Sequence, residues 1–378
     1  MSELKILISV TEVSGDMHAA NLVKAIRRIN PGTKFVGIGG ERMQKAGVDI
    51  RSITTHMGTI GLLEGVKYYP SFLKVRSMMK KILLKERPHL LVLIDSRDFN
   101  LGIARLGKKF GIPAVYYIAP PVWAWPDHKG KRVARTLEKI IAIFPFEAEI
   151  YRECGAKVAF VGHPLLDIVK PNMSKEEVYH KFGLNSGGFI IGLLPGSREQ
   201  EINNLLPLML STAAEVSKRL KNVQFLLPLA SSVFADRIMR IVNKSEVSVK
   251  IVTDGVYEVM NISHLLITSS GTATLEASCL GTPMIIVYKT SLSTWLMGKI
   301  LLKLPYIGFP NILANKMIVP ELLQFQAKPD RLSNLVLELL NHPQKLETMR
   351  MGLRKVVKKL GEPGATDRAA KVIMEVVS

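Results

Sequence analysis

Cysteine is nearly missing: Cys154 and Cys279 are the only two among 378 residues. Two thiols so far apart build neither a disulfide framework nor a clustered metal site, and their scarcity suits a reducing cytosol. Acidic residues are also in short supply. Asp and Glu number 32 against 51 Lys and Arg, a formal net charge of +19, which points to anionic partners: nucleic acid, anionic lipid or phosphorylated substrates. No uncharged apolar run reaches about 18 residues, so no spanning helix is expected although 47% of the chain is hydrophobic. The opening MSELKILISV runs directly into a strand-like stretch, without the charged, apolar and small-residue regions of a signal peptide. There is no G-x-x-x-x-G-K-[ST], no HExxH and no paired CxxC, which leaves P-loop ATPase and zinc readings unsupported. GIGGERM (37–43) lacks the full dinucleotide fingerprint and follows the second strand rather than the first.

What is present is alternation. KILISV (5–10), KFVGIG (34–39), LLVLID (90–95), AVYYIA (114–119), KIIAIFP (139–145) and KVAFVGHP (157–164) are short β-rich runs separated by helical patterns. A second series follows: FIIGLLPG (189–196), VQFLLPLA (223–230), VKIVTDG (249–255), HLLITSSG (264–271) and PMIIVYK (283–289). Continuous apolar strands between amphipathic helices indicate parallel sheets covered on both faces, hence two doubly wound, Rossmann-like α/β domains. The proline-punctuated stretch 162–185 is the expected linker. Domains are therefore expected at 1–170 and 171–345, with a basic helical tail at 346–378 that packs back on the first domain or on a partner subunit. A cleft between two domains is the default ligand site.

In open α/β sheets ligands bind beyond the carboxyl ends of the strands. LLPGSREQEI (193–202) places Gly196, Ser197 and Arg198 there, with Glu201 in the following first turn. Two readings fit: Ser197 caps the helix with Gln200 completing a capping box, or the free N–H groups and Arg198 receive a phosphate. ITSSGTATLEASCLGTP (267–283) repeats the pattern, with Ser270, Gly271, Thr272, Ala273 and Thr274 at the turn and Glu276 in the first turn, able to accept bonds from a ribose diol. Close helix packing of small residues explains any one such turn; two in one domain favour a nucleoside diphosphate. LVLIDSRDFN (91–100) ends a buried strand on Asp95, either a general base at the cleft mouth or a turn former, with Asp98 or Asn100 as the cap of the next helix. TEVSGDMHAAN (11–21) brings Ser14, Gly15, Asp16 and His18 to the same edge, which a plain strand-to-helix turn also explains. The stretch 62–86 mixes Tyr68, Tyr69, Phe72 and Leu73 with Lys and Arg, and 292–309 repeats the flavour around Trp295; both suit an anionic membrane surface, as an amphipathic core helix would in isolation.

Taken in order, TEVSGDMH, IDSRDFN, PPVWAWPDHK (120–129), FPFE (144–147), VGHPL (161–165), LLPGSREQEI, SSGTATLE (269–276), FPNILAN (309–315) and VPELLQ (319–324) resemble lipid-A-disaccharide synthases, inverting glycosyltransferases of the GT-B fold. The resemblance spans nearly the whole chain. It implies two domains facing a cleft and transfer of diacylglucosamine from UDP-2,3-diacylglucosamine to the 6-hydroxyl of 2,3-diacylglucosamine 1-phosphate. The products are the β-1,6 disaccharide and UDP, with no cofactor and no metal. The implied donor residues are Gly196, Ser197, Arg198, Glu201, Ser270, Gly271, Thr272, Ala273, Thr274, Glu276 and Asn311. The implied acceptor residues are Glu12, Ser14, Gly15, Asp16, His18 and Arg97. Asp95 is the implied base, with Asp98 as the alternative. Tyr68, Tyr69, Phe72 and Leu73 then touch the inner membrane from the cytoplasmic side, and a homodimer is a further expectation. Two departures stand out: Thr11 where the family reads glycine, and Arg97 where it reads proline. A cation at Arg97 would lower the Asp95 pKa or contact the acceptor phosphate. The competing readings are another GT-B UDP-N-acetylglucosamine transferase, a UDP-sugar epimerase and a basic nucleic-acid-binding protein; the last predicts exposed stacking aromatics, yet only 7% of residues are aromatic.

Overall fold

The computed structural model describes residues 3–55, 65–119, 128–229, 232–290 and 305–377, with backbone alone for 65–72, 97, 98, 128, 129 and 232. The chain forms two compact units, one of residues 1–167 with 360–378 and one of residues 168–359.

The first unit is built on strands β1 (Lys5–Ser9), β2 (Lys34–Gly39), β3 (Asp49–Ile53), β4 (Leu90–Ile94), β5 (Ala114–Tyr117), β6 (Lys139–Ala142) and β7 (Val158–Phe160). They pair in the order β3-β2-β1-β4-β5-β6-β7, all parallel. Every side chain of β4 is buried, as expected where helices cover both faces of a parallel sheet. The second unit repeats the construction with β8 (Phe189–Leu194), β9 (Val223–Pro228), β10 (Val249–Val252), β11 (Leu265–Ser269), β12 (Met284–Tyr288) and β13 (Glu321–Leu323), ordered β10-β9-β8-β11-β12-β13. In each sheet the chain builds outward to one edge and then jumps back across its first strand. The jump creates a switch point between β1 and β4 in one unit and between β8 and β11 in the other. Connections on the two sides of such a point diverge and leave room above the strand ends.

β3 and β13 are absent from the apolar runs of the sequence for physical reasons. β3 reads DIRSI and stays half exposed at a sheet edge, while β13 has only three residues. The expected linker is not without structure, with the short helices Leu165–Ile168 and Lys175–Lys181 inside it. Ser174 caps the second of these through a bond from the Glu177 amide at 3.2 Å, and the Glu177 carboxylate accepts the Ser174 amide at 2.6 Å. The tail divides later than residue 346. Helix Pro343–Lys358 buries Leu346, Met349 and Leu353 in the core of the second unit. Helix Ala365–Val377 packs along helix Val13–Ile29 of the first, burying Ala369, Ala370 and Ile373. The chain re-enters that unit where the His163 amide donates to the Leu360 carbonyl at 2.8 Å and Arg368 Nε donates to the Val161 carbonyl at 2.8 Å.

Candidate functional site

At the first switch point, β1 leads into helix Val13–Ile29 and β4 into helix Arg97–Lys109. Asp95 and Ser96 join β4 to its helix with φ of 53° and 43°, two successive non-glycine residues in the left-handed region. Neither carboxylate oxygen of Asp95 is exposed or hydrogen-bonded. Burial therefore holds its pKa well above the usual carboxylate range, the Glu12 carboxylate pushes it the same way, and the Thr11 backbone amide gives a small opposing effect without reaching bonding geometry. Gly15 lies directly beneath. A Cβ built there would sit 1.6 Å from Asp95 Oδ2 and 2.9 Å from Val10 Cγ1, so only glycine lets the first helix pass under the carboxylate.

Gly15→Ala is accordingly expected to displace the Asp95 carboxylate and lower turnover about 100-fold, the scale of an ångström-sized misplacement. The added methyl also overpacks a buried site against Asp95 and Val10, so the thermal midpoint should fall by the equivalent of about 1–3 kcal/mol, less alanine's small helical advantage. Steady-state rates and a melting curve check both halves, and a Gly15→Ala protein at the parental rate would remove Asp95 from the reaction.

The remaining acceptor-side residues divide. Glu12 and Ser14 begin the first helix, half-buried. Asp16 is committed elsewhere: its carboxylate accepts the backbone amides of Gly40 at 2.8 Å, Arg42 at 3.0 Å and Met43 at 3.1 Å, capping helix Glu41–Lys45. His18 is buried with Nδ1 unpartnered, and burial followed by the nearby Arg42 charge lowers its pKa to about 4. It is a neutral imidazole, unsuited to neutralising an acceptor phosphate. His163 behaves likewise, pushed down to about 3 by burial and then by His18. Helix Arg97–Lys109 starts one residue before Asp98 and its cap position is Ser96, so neither Asp98 nor Asn100 is the cap. The side chains of Arg97 and Asp98 lie outside the described residues, as do Tyr68, Tyr69 and Phe72. Leu73 is exposed on helix Gly65–Glu86, beside exposed Lys74, Arg76, Lys80 and Lys81.

At the second switch point β8 and β11 run side by side, Leu194 opposite Thr268, so their two following turns emerge as neighbours. Helix Glu199–Arg219 follows the first turn and helix Thr272–Leu280 the second. The cap differs from the Ser197–Gln200 pairing. The carboxylate of Glu201 reaches back to accept the Ser197 amide at 3.2 Å and the Arg198 amide at 3.4 Å. Gly196, at φ 114°, makes this possible, since a Cβ there would lie 2.2 Å from Glu201 Oε2. Burial raises the Glu201 pKa against the opposing Arg198 charge and both amides. Arg198 is half exposed, and its nearest carboxylate is Glu201 at a loose 3.9 Å, which leaves the guanidinium available to an anion.

In the second turn Ser270 Oγ donates to the Ile307 carbonyl at 2.8 Å and Thr274 Oγ1 to the Gly271 carbonyl at 2.7 Å. Gly271, Thr272 and Ala273 complete the helix entry, with open space where a Gly271 Cβ would stand. Glu276 is the fifth residue of the helix rather than part of its first turn, and Tyr257 Oη donates to it at 3.2 Å. Burial raises its pKa. Asn311 has no free polar atom for a ligand. Its Oδ1 accepts the amides of Ile318 at 2.7 Å and Val319 at 3.0 Å, and its Nδ2 donates to the Val319 carbonyl at 2.8 Å and to Glu321 Oε1 at 2.7 Å. It braces a loop with Glu321, which also accepts the Ile307 and Gly308 amides. Glu321, Tyr257 and Tyr288 escaped the sequence reading. Tyr288 ends β12 within electrostatic reach of Glu201 and Arg198, and its position at a strand terminus was the available signal. Among the described residues no group of three or more His, Cys, Asp or Glu could hold a metal ion, and no helix is long and apolar enough to cross a membrane.

Residues 6–376 match the model of the family described as lipid-A-disaccharide synthetase. A lipid-A-disaccharide synthase of Geobacter sulfurreducens is 39% identical over 373 residues, 99% of this chain and 97% of that protein. Among solved structures, a protein described as a UDP-N-acetylglucosamine 2-epimerase from Listeria monocytogenes superimposes with a TM-score of 0.69 at 12% identity over 99% of this chain and 97% of its own. The kitacinnamycin glycotransferase does so with a TM-score of 0.64 at 15% identity over all of both chains. At such identities the structural likeness carries the fold alone, the paired α/β units of GT-B proteins.

Proposed function

The chain belongs to the lipid-A-disaccharide synthetase family, and on that premise we propose that its two switch points divide the reaction, one activating the acceptor and the other holding the donor. The enzyme is a glycosyltransferase that forms the lipid A disaccharide, using a UDP-sugar donor. A family match over residues 6–376 does not favour the epimerase, the other transferases or the nucleic-acid reading.

Asp95 acts as general base on the 6-hydroxyl of 2,3-diacylglucosamine 1-phosphate. The observation that carries this reading is a buried carboxylate with no hydrogen-bond partner, whose proton affinity burial has raised. The released oxygen attacks the anomeric carbon of UDP-2,3-diacylglucosamine in a single inverting displacement. UDP departs toward the N-terminus of helix Glu199–Arg219 and the Arg198 guanidinium, which neutralise the diphosphate, while Glu201 holds the Ser197 and Arg198 amides and so fixes the turn. Glu276 receives the ribose hydroxyls. Glu12 and Ser14 meet the acceptor, while Asp16, Glu201 and Asn311 shape the loops that carry the contacts. The exposed basic face of helix Gly65–Glu86 rests on an anionic leaflet, and two chains associate. Vesicle flotation that fails at low salt, or light scattering that reads a monomer, removes the respective one of these two.

The direct test incubates the purified protein in detergent micelles, without added divalent metal, with both lipid substrates and follows products by mass spectrometry. Stoichiometric disaccharide and UDP are expected. UDP binding without disaccharide would move the chain to a different acceptor.

A further inference from the structure

We infer that Tyr116, Asn100 and Ser9 are positioning residues that aim the Asp95 carboxylate by gripping its backbone. The inference rests on the assignment of Asp95 as base. A carboxylate with no bond to either oxygen has no side-chain contact to fix its direction, so the aim is set by the main chain. That main chain is unfavourable by itself: two consecutive residues with side chains are held in the left-handed region, and the surroundings must impose the conformation.

The restraint comes from three elements. Tyr116, on β5, donates its hydroxyl to the Asp95 carbonyl. Asn100, on the helix that follows, donates Nδ2 to the same carbonyl at 2.9 Å and to the Ile94 carbonyl at 2.9 Å, with the Ser9 carbonyl further off at 3.4 Å. Ser9, on β1, donates Oγ to Asn100 Oδ1 at 2.6 Å, which fixes the amide orientation because the other partners can only accept. All three side chains are buried. The Asp95 carbonyl thus takes two side-chain donors, from β5 and from the helix after β4, while Ser9 braces one of them from across the switch point, and Gly15 leaves the space into which the carboxylate is turned. A core of this kind gains little stability from buried polar groups over apolar ones of similar shape. Its gain is one defined direction for the carboxylate.

The test uses full-length Tyr116→Phe, Ser9→Ala, Asp95→Asn and the double variant Tyr116→Phe/Asp95→Asn, with kcat and KM for both substrates. Tyr116→Phe is expected to lower kcat about 10- to 100-fold with both KM values nearly unchanged. Added to Asp95→Asn it is expected to cost nothing further, because aiming an absent base has no effect. Loss of equal size in both backgrounds, or a parental kcat in Tyr116→Phe, would overturn the inference. If Tyr116→Phe fails to fold, Ser9→Ala in both backgrounds supplies the same comparison. A parental rate in Asp95→Asn removes the base assignment and the inference with it. An inactive Asp95→Asn beside a fully active Tyr116→Phe removes the positioning role alone.

Discussion

Asp95→Asn is expected to slow glycosyl transfer by about 10²- to 10⁴-fold, the usual contribution of a general base, and to make the first unit harder to unfold. The two effects share a cause. Burial and the Glu12 carboxylate hold the Asp95 pKa above that of an unfolded chain, so the fold favours the neutral acid. The associated stability is complete at pH below the unfolded pKa and is lost as pH rises through the folded one. Asparagine keeps the volume and never ionises. Near neutrality the variant escapes the loss, a gain on the order of 1 kcal/mol because its amide still lacks partners. Urea denaturation of both proteins should show the gap shrinking as the pH is lowered toward the unfolded carboxylate range. An Asp95→Asn protein less stable than its parent at neutral pH would mean that the carboxylate is satisfied in solution. The same logic gives the parent's rate an acid limb: transfer falls as Asp95 is protonated, at a pH above that of an ordinary carboxylate.

Arg198→Ala is expected to lower kcat/KM for the donor by about 10²- to 10³-fold, comparable to removing one preorganised donor from a developing charge. The guanidinium is half exposed and only loosely paired, so its loss leaves no buried orphan and the melting curve should stay in place. Lysine at this position restores the charge without the planar fork, and Arg198→Lys should recover part of the rate. Isothermal titration with UDP separates the alternatives. Weakened UDP affinity beside lost turnover supports a diphosphate contact, and full activity in Arg198→Ala would transfer the role to the helix amides alone.

Both switch points could be located from the sequence because the strands are continuous apolar runs whose ends the following turns mark. LLVLID and FIIGLLPG mark β4 and β8 almost to the residue. The caps were less accessible. Ser96 is left-handed and starts its helix before Asp98, and a glutamate rather than Gln200 reaches back over Gly196. Such shifts depend on backbone conformation that side-chain identity does not encode. Asp16 and Asn311 look like ligand residues in one dimension and prove to be spent on main-chain amides once the loops meet. The Ser9–Asn100 bond joins residues 91 apart, and Tyr257 meets Glu276 only because helices Val256–Ile262 and Thr272–Leu280 pack together. No local pattern announces a partner at that separation.

The return of residues 360–378 to the unit that begins the chain has a consequence for biogenesis. The helix Val13–Ile29 emerges early from the ribosome, yet the face that receives Ala369, Ala370 and Ile373 must wait for nearly the whole polypeptide. At translation rates of roughly 5–20 residues per second that interval lasts many seconds. The second unit is contiguous and is complete first, although it is encoded second. The seven strands of the first unit are all encoded before residue 168, but helix Val13–Ile29 keeps an uncovered apolar face until residues 365–377 emerge. Premature termination anywhere after the second unit would therefore release a chain with one completed unit and one lacking its closing helix, a natural substrate for cellular quality control.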